Sequence, residues 1–343
     1  MIRIASIVVA FLVIVGCQTN SIDNGDNTNQ TTDAWKPLEM AQGYVLRDQD
    51  LITITDASGT SIADIDAPNA IALAWNAAQN QIVWIENSEE QGSTIQSFSL
   101  DTGEQNSLYW SRSQPTALSV ASSGQYIAFV ESNSVYIVNP QGGQVHRVAE
   151  DVEQFIWSPT VDALAFTTSE SSWYASIDTD GSIAATVELA DKQIYGITFT
   201  DGKTILGIVH NDEDSSLELI TIDLRTVSQA LVAIWADQVE SVESTFAIRV
   251  NPTLQLIAVN ESGASGEGVT TQFNIETGEK EIMHSNGILL DWASRRQLVI
   301  ATPATGDRAG YYDIIQKDTI LGDAIILFDG IEIPLFIHST VIE

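Results

Sequence analysis

The sequence predicts an all-β fold assembled from one repeated strand pair, and three observations predict it. Six ten-residue windows align without gaps. Their anchors recur about every 43 residues. Each window is followed by a second apolar pair, most of them with turn-forming residues mid-segment.

The windows are WNAAQNQIVW (75–84), VASSGQYIAF (120–129), WSPTVDALAF (157–166), FTDGKTILGI (199–208), VNPTLQLIAV (250–259) and WASRRQLVIA (292–301). Their first position is always large and apolar: Trp75, Val120, Trp157, Phe199, Val250 and Trp292. Another apolar residue precedes each anchor by two, so one face of the first strand is buried. Ser-Pro, Asp-Gly or Ser-Gly then reverses the chain. The apolar run that follows is a second, more deeply buried strand. Anchor spacings of 45, 37, 42, 51 and 42 residues fall in the range of four-stranded propeller blades.

The second hairpins are IQSFSLDTGEQ (95–105), VYIVNPQGGQ (135–144), WYASIDTDGSI (173–183), LELITIDLRT (217–226), TQFNIETGEK (271–280) and YYDIIQKDTI (311–320). An extra one, LITITDASGTSI (51–62), follows a short strand, GYVLRD (43–48), and lacks a first strand of its own. The C-terminus holds spare strands in AIILFDG and IEIPLFIHS. The expectation is a single β-propeller of four-stranded antiparallel blades, seven in number. The seventh is shared between the chain ends and closed by N- and C-terminal strands, which removes exposed edges. Six blades are the alternative, if the N-terminal hairpin completes the last blade instead.

The windows resemble the TolB-like, WD-repeat-like family, whose strand pair reads roughly W-S-P-D-G-x-x-I-A-F. Trp157-Ser158-Pro159 and Leu164-Ala165-Phe166 match it. Asp201-Gly202-Lys203 supplies the turn, and Val135-Tyr136-Ile137-Val138 with Gly142-Gly143 matches the tyrosine-bearing strand and its glycine turn. The resemblance covers residues 43–340. It implies a propeller with a binding role and does not imply one activity.

The N-terminus reads as an address. Arg3 is the only charge in residues 1–16, and the apolar run after it has the length and shape of a signal peptide. It ends in Ile14-Val15-Gly16-Cys17, which resembles the bacterial lipobox, and Cys17 is the sole cysteine. Cys17 is therefore the expected lipid attachment point. Residues 17–35 are a polar, flexible tether, and residues 36–343 are the propeller. The expected location is the bacterial cell envelope, on the extracytoplasmic side. Gln18 favours the outer membrane where one exists, by resemblance to enterobacterial lipoproteins.

Charge narrows the partners. Against 14 Lys+Arg stand 46 Asp+Glu, a formal net charge of −32, which disfavours nucleic acid. In a propeller the strands run a, b, c, d outward. The b–c and d–a loops share one face, and the a–b and c–d turns share the other. The first face collects Glu86, Glu131, Glu170, Asp212, Glu213, Asp214, Glu240, Glu243 and Glu261. Lys203, Arg225, Lys280, Arg295, Arg296 and Lys317 fall opposite. The expectation is a polarised acidic platform for a basic protein, a peptide or a glycan, borne by a monomer. Ca²⁺ is the one cofactor such carboxylates suggest.

Catalytic motifs are sparse. His146, His210, His284 and His338 are scattered without zinc-ligand spacing, and no Gly-x-Ser-x-Gly elbow occurs. The expected function is a binding scaffold rather than an enzyme. The alternative is a metal-dependent hydrolase or lyase at the axial mouth, where Arg249 and Asp291 are the charged residues on predicted a-strands.

Overall fold

Each predicted strand pair is an antiparallel hairpin in the computed structural model, which describes residues 42–48, 50–56, 60–88, 92–239, 242, 244–251, 256–263, 267–331 and 336–340. Sheet 1 has the order β27-β1-β2-β3, joining β1 (Gln42–Asp48), β2 (Leu51–Asp56) and β3 (Ser61–Asp66) to β27 (Phe336–Thr340). Sheet 2 is β4 (Ala70–Asn76), β5 (Gln81–Ser88), β6 (Gly92–Ser99) and β7 (Gln105–Ser111). Sheet 3 is β8 (Ala117–Val120), β9 (Ile127–Glu131), β10 (Ser134–Val138) and β11 (His146–Ala149). Sheet 4 is β12 (Val152–Trp157), β13 (Ala163–Thr168), β14 (Ser172–Ile177) and β15 (Ile183–Ala190). Sheet 5 is β16 (Ile194–Phe199), β17 (Thr204–Asn211), β18 (Ser216–Asp223) and β19 (Ser228–Ala236).

The last seven strands form one continuous sheet: β20 (Thr245–Val250), β21 (Leu256–Ser262), β22 (Gly268–Asn274), β23 (Lys280–Ser294), β24 (Gln297–Pro303), β25 (Tyr312–Asp318) and β26 (Ala324–Ile331). It divides into two four-stranded units that share β23. Lys280–Gly287 pairs with β22 to complete sheet 6, and β23 from Ile288 onward pairs with β24 to begin sheet 7. The chain thus passes from an outer to an inner strand without a loop. Gly287 sits at the switch, where an added Cβ would lie 2.8 Å from the Ala301 carbonyl oxygen.

The windows are a–b hairpins. Their first and eighth residues face each other in four of six: Trp75–Ile82, Val120–Ile127, Trp157–Leu164 and Val250–Ile257. In the other two the pairing slips by one, to Phe199–Ile205 and Trp292–Leu298. In the sixth window the Ser294–Gln297 pair at the turn would by itself set Trp292 opposite Val299, and the register shift between Trp292 and Ser294 moves Trp292 to Leu298.

Six buried clusters lie between sheets. One joins Val83 and Ile85 of sheet 2 to Leu118 and Phe129 of sheet 3. Others link sheets 3 and 4, 4 and 5, 5 and 6, and 6 and 7. The remaining cluster packs Leu290 and Ile314 of sheet 7 with Leu46 and Ile54 of sheet 1 and Leu73 and Trp84 of sheet 2.

Inner strands are also stitched by hydrogen bonds. Trp157 Nε1 donates to the Ser119 carbonyl at 3.3 Å, and Trp292 Nε1 to the Arg249 carbonyl at 3.0 Å. Fully buried Asn76 and Asn251 each donate to a carbonyl in the next sheet's a–b turn, Gly124 at 2.9 Å and Arg295 at 2.8 Å. These bonds bring the a–b turns of neighbouring sheets side by side. No helix among the described residues is long and apolar enough to cross a membrane.

Candidate functional site

Antiparallel order sends the a–b and c–d turns out on one side of every sheet and the b–c and d–a loops out on the other. Acidic residues occupy both sides. The a–b and c–d turns carry Asp101, Asp162, Asp180, Asp201, Asp223 and Asp318. Carboxylates on both faces accept hydrogen bonds, and those of the a–b/c–d side close their own turns.

On the a–b/c–d side, short Asp side chains build the turns. Asp201 Oδ1 accepts backbone N–H bonds from Lys203 and Thr204, both at 2.7 Å. Asp223 receives Arg225 and Thr226 at 2.9 Å, and Asp318 receives Ile320 and Leu321 at 2.8 Å. Those bonds favour the ionised form and hold the Asp223 and Asp318 carboxyls below the usual range. On the b–c side, the Glu86, Glu170 and Glu213 carboxylates accept no hydrogen bond among the described residues.

The remaining sequence-predicted acids separate into distinct roles. Glu131 is only 7% exposed, and its carboxylate accepts bonds from the Tyr109 hydroxyl at 2.9 Å and from the Ser111 hydroxyl. It clamps sheet 2 to sheet 3 and is not a surface ligand. Burial, followed by the bond to Glu131, raises the Tyr109 pKa. Asp212 is held by His210 Nδ1 at 2.8 Å, while His210 Nε2 reaches the Val239 carbonyl at 2.7 Å. This imidazole ties the b–c loop of sheet 5 to the d–a loop that follows. Asp214 accepts a 3.4 Å bond from Asn211. Glu240, Glu243 and Cys17 lie outside the described residues, as do the signal peptide and the tether.

The axial candidates are partly engaged. Arg249 Nε donates to the Leu290 carbonyl at 3.1 Å and Nη1 to the Ile248 carbonyl at 3.1 Å. Arg249 therefore bridges the inner strands of sheets 6 and 7. Asp291 accepts the Trp292 backbone N–H at 2.8 Å. Among the described residues no three His, Cys, Asp or Glu side chains converge as a metal site.

Glu261, which accepts a 3.3 Å bond from the Ser244 hydroxyl, lines a groove of about 660 Å³ between sheets 5 and 6. Its walls are apolar where Trp235, Val269 and Ile282 stand, and Ile282 is 69% exposed. Its rim carries Glu261 and Glu281. Lys280 also lines it, but its ammonium is bound to the Ile234 and Trp235 carbonyls at 2.9 and 2.7 Å and lies 4.6 Å from the Trp235 ring centroid. Burial lowers the Lys280 pKa. Sequence reading found Glu261 but not the groove, because Trp235 and Ile282 meet only when outer strands of different sheets pack together.

These four-stranded antiparallel sheets define the class as an all-β, propeller-type fold. Solved structures agree. A protein from Lactobacillus plantarum has a TM-score of 0.59 at 12% identity, over 88% of this chain and 100% of that one. A functionally unknown protein from Desulfotomaculum acetoxidans has a TM-score of 0.60 at 12% identity, over 88% of this chain and 99% of that one. TolB from Acinetobacter baumannii has a TM-score of 0.50 at 14% identity, over 76% of this chain and 67% of that one. No family model matches the chain, and no curated protein matches its sequence. At such identities the likeness is one of fold.

Proposed function

We propose that the chain is an extracytoplasmic lipoprotein, held to the membrane through Cys17, whose propeller binds a basic, partly apolar protein segment in the groove between sheets 5 and 6. The groove itself carries this reading. It combines exposed apolar walls with Glu261 and Glu281, and the one cation in it is already bound to the neighbouring sheet. A Lys or Arg flanked by Leu or Ile meets both surfaces, and the chain's net charge of −32 speeds its approach.

A fluorescein-labelled peptide of alternating Lys and Leu tests the groove by polarisation. The full-length chain is expected to bind it, and added salt weakens the complex. Replacing Glu261→Gln and Glu281→Gln together removes two exposed charge pairs, an expected loss of about 2- to 30-fold in affinity. Equal binding of a Glu-for-Lys peptide, or no change in the double variant, would overturn the reading.

The anchor has a separate test. In a bacterial host, labelled palmitate is expected to mark the native chain and not Cys17→Ser, which moves from the membrane to the soluble fraction. Labelling of the serine variant, or unchanged fractionation, would remove Cys17 from this role.

A further inference from the structure

A second cavity, of about 330 Å³, opens on the a–b/c–d side, where turns of sheets 2, 3 and 4 meet. It is remote from the groove, so either site can fail alone. Five side-chain amides line it: Gln79 and Gln125 from the a–b turns of sheets 2 and 3, and Asn139, Gln141 and Gln144 from the sheet 3 c–d turn. The Tyr126 and His146 rings and Gly181 of the sheet 4 c–d turn complete its wall.

The chemistry of this wall is specific. An amide offers both a donor and an acceptor, as a hydroxyl does. The side chains of Gln125 and Gln144 and the His146 ring nitrogens make no hydrogen bond among the described residues. Gln141 Nε2 approaches Gln79 Oε1 only at 3.5 Å, the outer limit of a bond. Gln79 Nε2 donates to the Gly124 carbonyl at 2.9 Å and Asn139 Oδ1 accepts the Gln141 N–H at 3.0 Å, so the polar capacity open to a ligand is that of Gln125, Gln144, His146 and the Gln141 amide.

The apolar part is fixed in place. The Tyr126 hydroxyl donates to the Asp178 carbonyl at 2.8 Å, which anchors its ring. Gly181 lies against both rings at φ +86°, and an added Cβ would sit 3.2 Å from His146 Cδ2 and 3.6 Å from Tyr126 Cε1. A turn carrying a side chain there would be strained and would press on the imidazole.

Charge selects against anions. No Lys or Arg lines the cavity, whereas Asp180 does. Asp180 Oδ1 is occupied by the Ser182 hydroxyl and N–H at 2.6 and 2.9 Å, which leaves Oδ2 as an acceptor. The volume is at the low end of ligand sites, about 300–1,000 Å³. We propose that this cavity binds a neutral polyol, a mono- or disaccharide, through the Gln amides and the His146 ring, beside the edge of the buried Tyr126 ring that reaches the wall.

Saturation-transfer NMR on the full-length chain tests this, with maltose, cellobiose and N-acetylglucosamine as probes and glucuronate as the anionic control. At least one neutral sugar is expected to show transfer, and glucuronate none. Gln141→Leu and Gln144→Leu, both on exposed turn positions, are each expected to weaken binding about two- to tenfold, the loss of one ligand hydrogen bond. Gly181→Val is a third variant, and a melting curve for each confirms folding. Absence of transfer from all three sugars, equal transfer to glucuronate, or binding unchanged in the folded Gln variants would each overturn the proposal. Binding of the Lys-Leu peptide stays unchanged in these variants, which separates this site from the groove.

Discussion

Ending the chain at Leu335 is expected to lower its melting temperature by about 8 °C. The deleted strand β27 pairs antiparallel with β1 over Gln42–Leu46, the only described pairing that joins the two chain ends in one sheet. Five residue pairs at about 1 kcal/mol per backbone bond amount to about 5 kcal/mol, and at about 2.1 cal/mol/K of unfolding entropy per residue each kcal/mol shifts a domain of about 300 residues by roughly 1.5 °C. The effect extends beyond those bonds, because β1 becomes an open edge carrying Tyr44, Val45 and Leu46, all buried. Aggregation on heating is the expected accompaniment. A chain ending at Thr340 keeps the strand and is the control. Circular dichroism melts of the two truncations check the claim, and a difference under about 3 °C would show that the end pairing contributes little.

That pairing of the chain ends was legible in the sequence for a simple reason. The hairpin at residues 51–62 had no first strand, and the C-terminus held one too many. Hairpins were legible because a window contains both partners, so Trp157 and Leu164 are read together and found paired. What stayed hidden depends on contacts between sheets. Nothing in the composition of Glu131 distinguishes it from Glu170, yet Tyr109 and Ser111 of the preceding sheet bury the first and leave the second in solvent. The residue at position two of the windows carried no signal of its own. In Asn76 and Asn251 it is a buried link to the next sheet, while Ala121 and Ala293 carry no amide to do the same. The sugar-sized cavity draws on residues 79, 125–146 and 179–181. Each segment alone is an ordinary polar turn, and only the angle between neighbouring sheets makes them a wall. The uneven use of acids was also invisible, since a turn Asp and a free loop Glu add equally to the net charge.

Trp84 offers a sharper test of the core than any loop residue. Its side chain is fully buried and packs where sheets 7, 1 and 2 meet. Trp84→Ala removes the largest side chain in that cluster, and the expected cost is about 3–5 kcal/mol because the surroundings collapse only partly. Trp84→Phe is expected to cost much less. The indole Nε1 is buried and has no hydrogen-bond partner among the described residues. Phenylalanine therefore forfeits ring volume but also removes a donor that pays a desolvation penalty of about 1–3 kcal/mol. Urea denaturation of the three proteins separates the contributions, provided the slopes stay equal. If the phenylalanine variant falls as far as the alanine variant, the indole N–H is bonded in solution, and this three-sheet junction is held by polarity as well as by packing.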